Sequence, residues 1–174
     1  MRVVAGEFGG RKLMAPSGDT TRPTTDKVRE AVFNSLVSMG VIDDAVVADL
    51  FAGSGALGIE ALSRGAARCT FVERDRHALE ALRSNIAALR VDDRTTVVMS
   101  DVMAWVPAMR GVDIALVDPP YRFDAWERLL GLLQVSYALC EASREVLAPA
   151  GWISLRVKQY GRTVSTLLER GGRT

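Results

Sequence analysis

The chain is poor in the residues that most often announce chemistry. Among 174 residues there is one histidine, His77, and there are two cysteines, Cys69 and Cys140. Two thiols far apart make neither a disulfide framework nor a CxxC metal knuckle, and Cys69 lies in an apolar run where a small buried residue is the plain reading. A single imidazole that opens a helical stretch argues against a His-based triad or a zinc site, so no metal is expected. No apolar run approaches the roughly 20 residues that span a bilayer. The opening Met1–Glu7 lacks a signal peptide's apolar stretch, and the expectation is a cytoplasmic protein with no membrane partner. Aromatics are sparse, 6%, and Trp105, Trp126 and Trp152 sit among apolar neighbours where core packing is the default. Prolines number only six, yet two of them are adjacent, Pro119-Pro120.

What is present suffices for one domain: 48% of residues are hydrophobic, enough to bury roughly two-thirds of the unfolded surface. The net charge of +1 hides an uneven distribution. Residues 1–40 hold six Lys/Arg and four Asp/Glu, residues 156–174 hold five and one, and the stretch between holds eleven and sixteen. Basic ends around an acidic centre suit a polyanion gripped outside a catalytic pocket, although charge alone serves a mixed solvated surface equally well.

Residues 1–23 read as an appendage in which Val3-Val4 and Arg11–Met14 pair as a short hairpin about Gly9-Gly10. Residues 24–174 read as the main domain. Helical spacing of Val28, Val32, Phe33, Leu36 and Val37 predicts a helix over roughly 25–38. Apolar strands then alternate with helices: Val46–Leu50, a helix through Ile59 and Leu62 to Gly65, Cys69–Glu73, a helix faced by Leu79, Leu82, Ile86 and Leu89, Thr96–Met99, and Asp113–Val117. A helix around Trp126–Gln134 and another over Tyr137–Leu147 are expected before a strand at Gly151–Leu155. This order predicts an α/β fold with a mostly parallel, doubly wound sheet. In such a sheet ligands bind beyond the carboxyl ends of the strands, and Asp49, Glu73, Asp101 and Asp118 all lie at or just past those ends.

Gly53-Ser54-Gly55-Ala56-Leu57-Gly58 matches GxGxxG between a strand and a helix, a generic nucleotide-binding signal. Glu73, twenty residues on, can accept both ribose hydroxyls. A nicotinamide dehydrogenase fits this far. Asp49, four residues before the loop, would repel a pyrophosphate but attract an amino-acid ammonium, and Asp101 with Val102 can accept an adenine amine and offer a backbone donor, although Asp101 reads equally well as a turn cap. Together they match the amino acid, ribose and adenine of S-adenosylmethionine. Asp118-Pro119-Pro120-Tyr121, after the apolar Ile114–Val117, makes a rigid turn that presents a carboxylate, carbonyl acceptors and a flat ring to a planar amine.

These residues resemble class I, Rossmann-like S-adenosylmethionine-dependent methyltransferases, and in particular the bacterial 16S ribosomal RNA guanine-N2 methyltransferase (RsmD) family. Arg2–Gly6 with Gly10–Leu13 resembles its opening hairpin, Thr21–Glu30 with Phe33-Asn34 its signature segment, Asp49–Ala61 its donor loop, Asp118–Tyr121 its catalytic turn, and Tyr160-Gly161 with Thr163 its closing strands. The resemblance implies S-adenosyl-L-methionine held by Asp49, Phe51, Gly53, Ser54, Gly55, Glu73, Arg74, Asp101, Val102 and Thr24. It implies catalysis at Asp118, Pro119, Pro120 and Tyr121, and a guanine N2 in 16S ribosomal RNA or an assembling small subunit as substrate. Arg2, Arg11, Lys12 and Arg22 are the candidate phosphate contacts, with Lys158 and Arg162 behind them. A monomer is the simplest expectation. One departure stands out: Trp152–Val157, taken as the fifth strand, runs almost directly into Lys158–Gly161, which predicts a shortened C-terminal sheet edge. The turn itself does not choose between guanine N2 and adenine N6, and a protein-glutamine enzyme would more naturally carry Asn at 118. A non-catalytic RNA-binding domain is the reading from another class.

Overall fold

Seven strands form one sheet in the order β3-β2-β1-β4-β5-β7-β6, and the computed structural model describes residues 1–16 and 26–172 of the chain. The elements are α1 (Asp26–Ser38), β1 (Val46–Leu50), α2 (Ala56–Ser63), β2 (Arg68–Glu73), α3 (Arg76–Leu89), β3 (Thr95–Met99), α4 (Val102–Trp105), β4 (Ile114–Val117), α5 (Trp126–Leu132), β5 (Tyr137–Ala142), β6 (Trp152–Tyr160) and β7 (Thr163–Arg170). β1 to β5 are parallel, and β7 is antiparallel to both β5 and β6. The doubly wound, mostly parallel expectation therefore holds, with an antiparallel hairpin closing one edge.

Strand parity builds the two faces. Successive side chains point to opposite sides, so Val47, Phe71, Leu116 and Leu139 meet α1, α2 and α3 in one core. Ala48, Leu50, Val72, Ala115, Val117, Ala138 and Cys140 meet α4, α5 and the flanking loops in the other. The N-terminal stretch closes the first layer: Val3, Phe8 and Leu13 are buried in it, and Arg2 and Lys12 form an antiparallel bridge. Buried Glu60 on α2 pins this stretch by accepting from the backbone N–H groups of Val4 (2.7 Å) and Ala5 (3.2 Å).

Two expectations are corrected. Residues Tyr137–Ala142 are a strand, not the start of a helix to Leu147. β5 lies between β4 and β7 with both faces covered, so its short apolar run lacks the alternation that marks a half-exposed strand, and a run of that kind does not distinguish strand from helix by periodicity. The sheet edge is not shortened either. With β5 placed at 137–142, Trp152–Tyr160 is the sixth strand, and β6 and β7 are nine and eight residues long. The segment joining β5 to β6 carries no helix.

Candidate active site

The glycine loop is shaped by β1 ending against a helix that cannot cap itself. Gly55 sits at the N-cap of α2 with φ 81° and offers no side chain. The carboxylate of Asp49, at the end of β1, supplies the cap instead: Oδ2 accepts from the Gly58 N–H at 2.8 Å, a favourable place for a negative group. Between them Phe51 adopts φ 64°, a left-handed conformation uncommon for an aromatic residue and characteristic of functional loops. Its ring meets Phe123 edge-on at 5.3 Å, and Phe123 meets Trp126 at 5.2 Å, so an aromatic ladder ties the glycine loop to the chain following the Asp-Pro-Pro-Tyr turn.

The glycines divide their labour. A Cβ at Gly53, φ 56°, would meet nothing within 4 Å, so open space lies beside the loop there. One at Gly55 would stand 2.4 Å from Leu82 Cδ1, and one at Gly58 2.3 Å from Phe71 Cε1. Gly53 thus leaves room for a ligand, whereas Gly55 and Gly58 let α2 press on the sheet and α3.

Acids converge at the carboxyl ends of the strands because of the same parity. Asp49, Glu73, Asp118 and Glu141 each fall two residues past a core-facing residue, Val47, Phe71, Leu116 and Leu139, on the α1–α3 face. Asp49 is 1% exposed. Burial pushes its carboxyl well above the ordinary range, the Gly58 N–H opposes that shift, and the charges of Asp118, Glu73 and Glu141 add to it. Glu73 is held by three backbone donors: Gly53 N–H to Oε2 at 2.8 Å, and Arg74 and Asp75 N–H to Oε1 at 2.7 and 2.8 Å. A carboxylate has about four acceptor positions, which leaves Oε2 able to take a hydroxyl. Ser54, buried, has its carbonyl bound by Asn85 Nδ2 at 3.0 Å. Asp101 does act as a cap, accepting from Met103 N–H at 2.9 Å, and its other oxygen faces Arg74 Nη1 at 3.1 Å. Val102 beside it is buried.

At the Asp-Pro-Pro-Tyr turn Asp118 is half-buried, Pro119 buried and Pro120 exposed. Tyr121 is 60% exposed. The Phe123 N–H donates to the Pro120 carbonyl at 2.8 Å, which closes the turn.

The candidate phosphate contacts do not gather here. Arg2 pairs with Asp26 at 3.3 Å, Arg11 donates to the Ala88 carbonyl near the far end of α3, and Lys12 is exposed. Arg22 and Thr24 lie outside the described residues. Glu141 is not among the sequence-derived candidates because the apolar run that carries it does not distinguish strand from helix by periodicity. The signal was present, since Ala138-Leu139-Cys140-Glu141 repeats the pattern of an apolar run ended by an acid seen at β1, β2 and β4. Cys69 and Cys140 are free and buried. Among the described residues no helix is long and apolar enough to cross a membrane.

This arrangement is shared with known proteins. The chain is 40% identical to ribosomal RNA small subunit methyltransferase D of Escherichia coli over 182 residues, 98% of this chain and 90% of that one. It is 32% identical to the protein of the same name from Haemophilus influenzae, covering 92% and 89%. The solved Escherichia coli methyltransferase yhhF superposes with a TM-score of 0.86 at 38% identity over 99% of both chains. A family model described as Conserved hypothetical protein 95 matches residues 1–169, and the chain belongs to that family, the one that includes the ribosomal RNA small subunit methyltransferases D.

Proposed function

We propose that this chain transfers a methyl group from S-adenosyl-L-methionine to the exocyclic N2 amine of a guanine in the 16S ribosomal RNA of the small subunit, in the cytoplasm. The observation that carries the reading is the convergence of Asp49, Glu73, Asp118 and Glu141 on one sheet face beside the rigid Asp-Pro-Pro-Tyr turn. The residues present fit the donor. Asp49 offers a buried anion for the ammonium, Glu73 retains acceptor capacity for one ribose hydroxyl, and open space lies at Gly53. Thr24, Phe51, Ser54, Gly55, Arg74, Asp101 and Val102 belong to the same proposed pocket. When bound, the sulfonium donor supplies an electrophilic methyl group.

The amine is a weak nucleophile because its lone pair is delocalised into the ring. Asp118 accepts one amine hydrogen. The Pro120 carbonyl is engaged by Phe123, so the Pro119 carbonyl is the acceptor for the other. Both acceptors are held by prolines before reaction and favour the pyramidal nitrogen that attack requires. Exposed Tyr121 stacks on a base drawn out of its own stack, offsetting part of an unstacking cost of a few kcal/mol. Among the N-terminal cations, Lys12 is freest to meet phosphate, since Arg2 and Arg11 already hold partners.

The test is tritiated methyl transfer onto small ribosomal subunits lacking the modification, followed by nucleoside analysis. Label should appear as N2-methylguanosine. Label in N6-methyladenosine would replace guanine by adenine, and RNA binding without label would leave only a non-catalytic RNA-binding domain.

A further inference from the structure

The β6–β7 hairpin takes no part in the reaction proposed above, yet its composition and register are directed. From Trp152 to Thr163 it carries Arg156, Lys158 and Arg162 and no acid. β6 is an edge strand whose side chains are exposed from Ile153 to Gln159. Its pairing sets Lys158 opposite Ser165, and Ser165 opposite Glu141, so Lys158 lies in the cross-strand row that holds Glu141 and on the same face. Val117 pairs with Cys140, which brings Asp118 level with Glu141. Lys158 therefore stands three strand spacings from the catalytic turn, roughly 14 Å of backbone. β5 ends at Ala142, paired with Val164, while Tyr160 and Thr163 continue the ladder one step further. The Gly161-Arg162 turn thus overhangs the rim beside the site.

The cations are held or left available in a telling way. Arg156 Nη1 donates to Ser35 Oγ at 2.5 Å, anchoring the hairpin to α1. Lys158 Nζ lies 5.4 Å from the centre of the Tyr160 ring. Among the described residues no carboxylate lies within ion-pair distance of Arg156, Lys158 or Arg162. Arg11 on the N-terminal hairpin, in contrast, is spent on a helix carbonyl near the strands' amino ends.

We propose that this face of the β6–β7 hairpin is a docking track for the ribose-phosphate backbone of the RNA beside the target nucleotide. Lys158 and Arg162 contact phosphates, and Arg156 positions the hairpin. The inference rests on the reading of the site as an RNA methyltransferase.

The experiment compares the full chain with Lys158→Ala/Arg162→Ala and with the charge-keeping Lys158→Arg/Arg162→Lys. Three quantities are followed: S-adenosylmethionine affinity by calorimetry, binding to an unmodified 16S ribosomal RNA transcript and to unmodified small subunits at several salt concentrations, and methyl-transfer kinetics. The alanine variant should keep its donor affinity, bind RNA at least tenfold more weakly at low salt, and raise KM for RNA far more than it lowers kcat. Its log–log salt slope should flatten by about 1.4, two single-strand phosphate contacts. The charge-keeping variant should regain most of the loss. Unchanged RNA affinity and slope in the alanine variant would overturn the proposal even with methyl transfer intact. Weakening confined to subunits, with free RNA unaffected, would move the contact to a subunit protein and overturn the RNA assignment. If the wild type transfers no methyl group but the alanine variant still loses RNA affinity with the flattened slope, docking stands and only the reaction is wrong.

Discussion

In the proposed pocket, Asp49 trades stability of the empty fold for a charge that a ligand can meet. Burial raises its carboxyl first and most, and the neighbouring charges of Asp118, Glu73 and Glu141 raise it further against the Gly58 N–H. A carboxyl with a higher pKa folded than unfolded favours the fold while protonated. That contribution is present at low pH and lost as pH rises from the unfolded value through the folded one. Asp49→Asn keeps an acceptor for Gly58 and removes the buried charge. It should therefore melt higher than the wild type at pH 8, with the gap closing toward pH 4, while losing affinity for S-adenosylmethionine. Scanning calorimetry across pH checks this, and a variant that melts lower at pH 8 would sink it. Asp118, half-buried at the turn, is proposed to act on the reaction rather than on the fold. Asp118→Ala should lower kcat on the order of 10²–10³-fold, the usual loss for one preorganised hydrogen-bonding group, and leave donor affinity within a few-fold. Single-turnover methyl transfer with calorimetry separates the two effects.

At the scale of elements, α2 is where sequence and packing agree most closely. Its N-terminus borrows a cap from β1, and Gly58 brings it onto the sheet. Alanine at 58 would gain up to about 1 kcal/mol in helix propensity. It would also place a methyl group 2.3 Å from Phe71 Cε1 and 2.6 Å from Cys69 Sγ, both buried with no room to retreat, and overpacking of this kind costs about 1–3 kcal/mol. Gly58→Ala should therefore be destabilised by roughly 1–2 kcal/mol in urea unfolding; equal or greater stability would show that the helix slides outward at no cost. β5 teaches the converse lesson. Its apolar residues face both layers, so the period that distinguishes strand from helix was absent, and only its place between β4 and β7 revealed Glu141 as part of the acid row.

At the scale of the whole molecule, a ligand that binds only the folded chain must stabilise it. S-adenosylmethionine at a hundred times its Kd should add about 2.7 kcal/mol, a rise of roughly 5–10 °C in Tm for a domain of this size. NAD at the same concentration should produce none, because Asp49 lies where a dinucleotide's pyrophosphate would need a neutral or positive neighbour. A shift with NAD alone would return the glycine loop to a dehydrogenase.

The sequence by itself determined β1 to β4, the helices α2 and α3 among them and the acids at their ends, because an apolar run closed by an acid and followed by glycines or prolines is a local pattern whose meaning does not depend on distant partners. Residues Asp49, Glu73, Asp101 and Asp118 could be named for that reason. Tertiary structure alone decided which residues meet across the sheet. It turned Tyr137–Ala142 into a strand and kept the edge at full length. It committed Arg11 to a helix end and brought Lys158 into the row of Glu141. Register and strand order arise from pairings between segments far apart in the chain, and no window of sequence contains both partners.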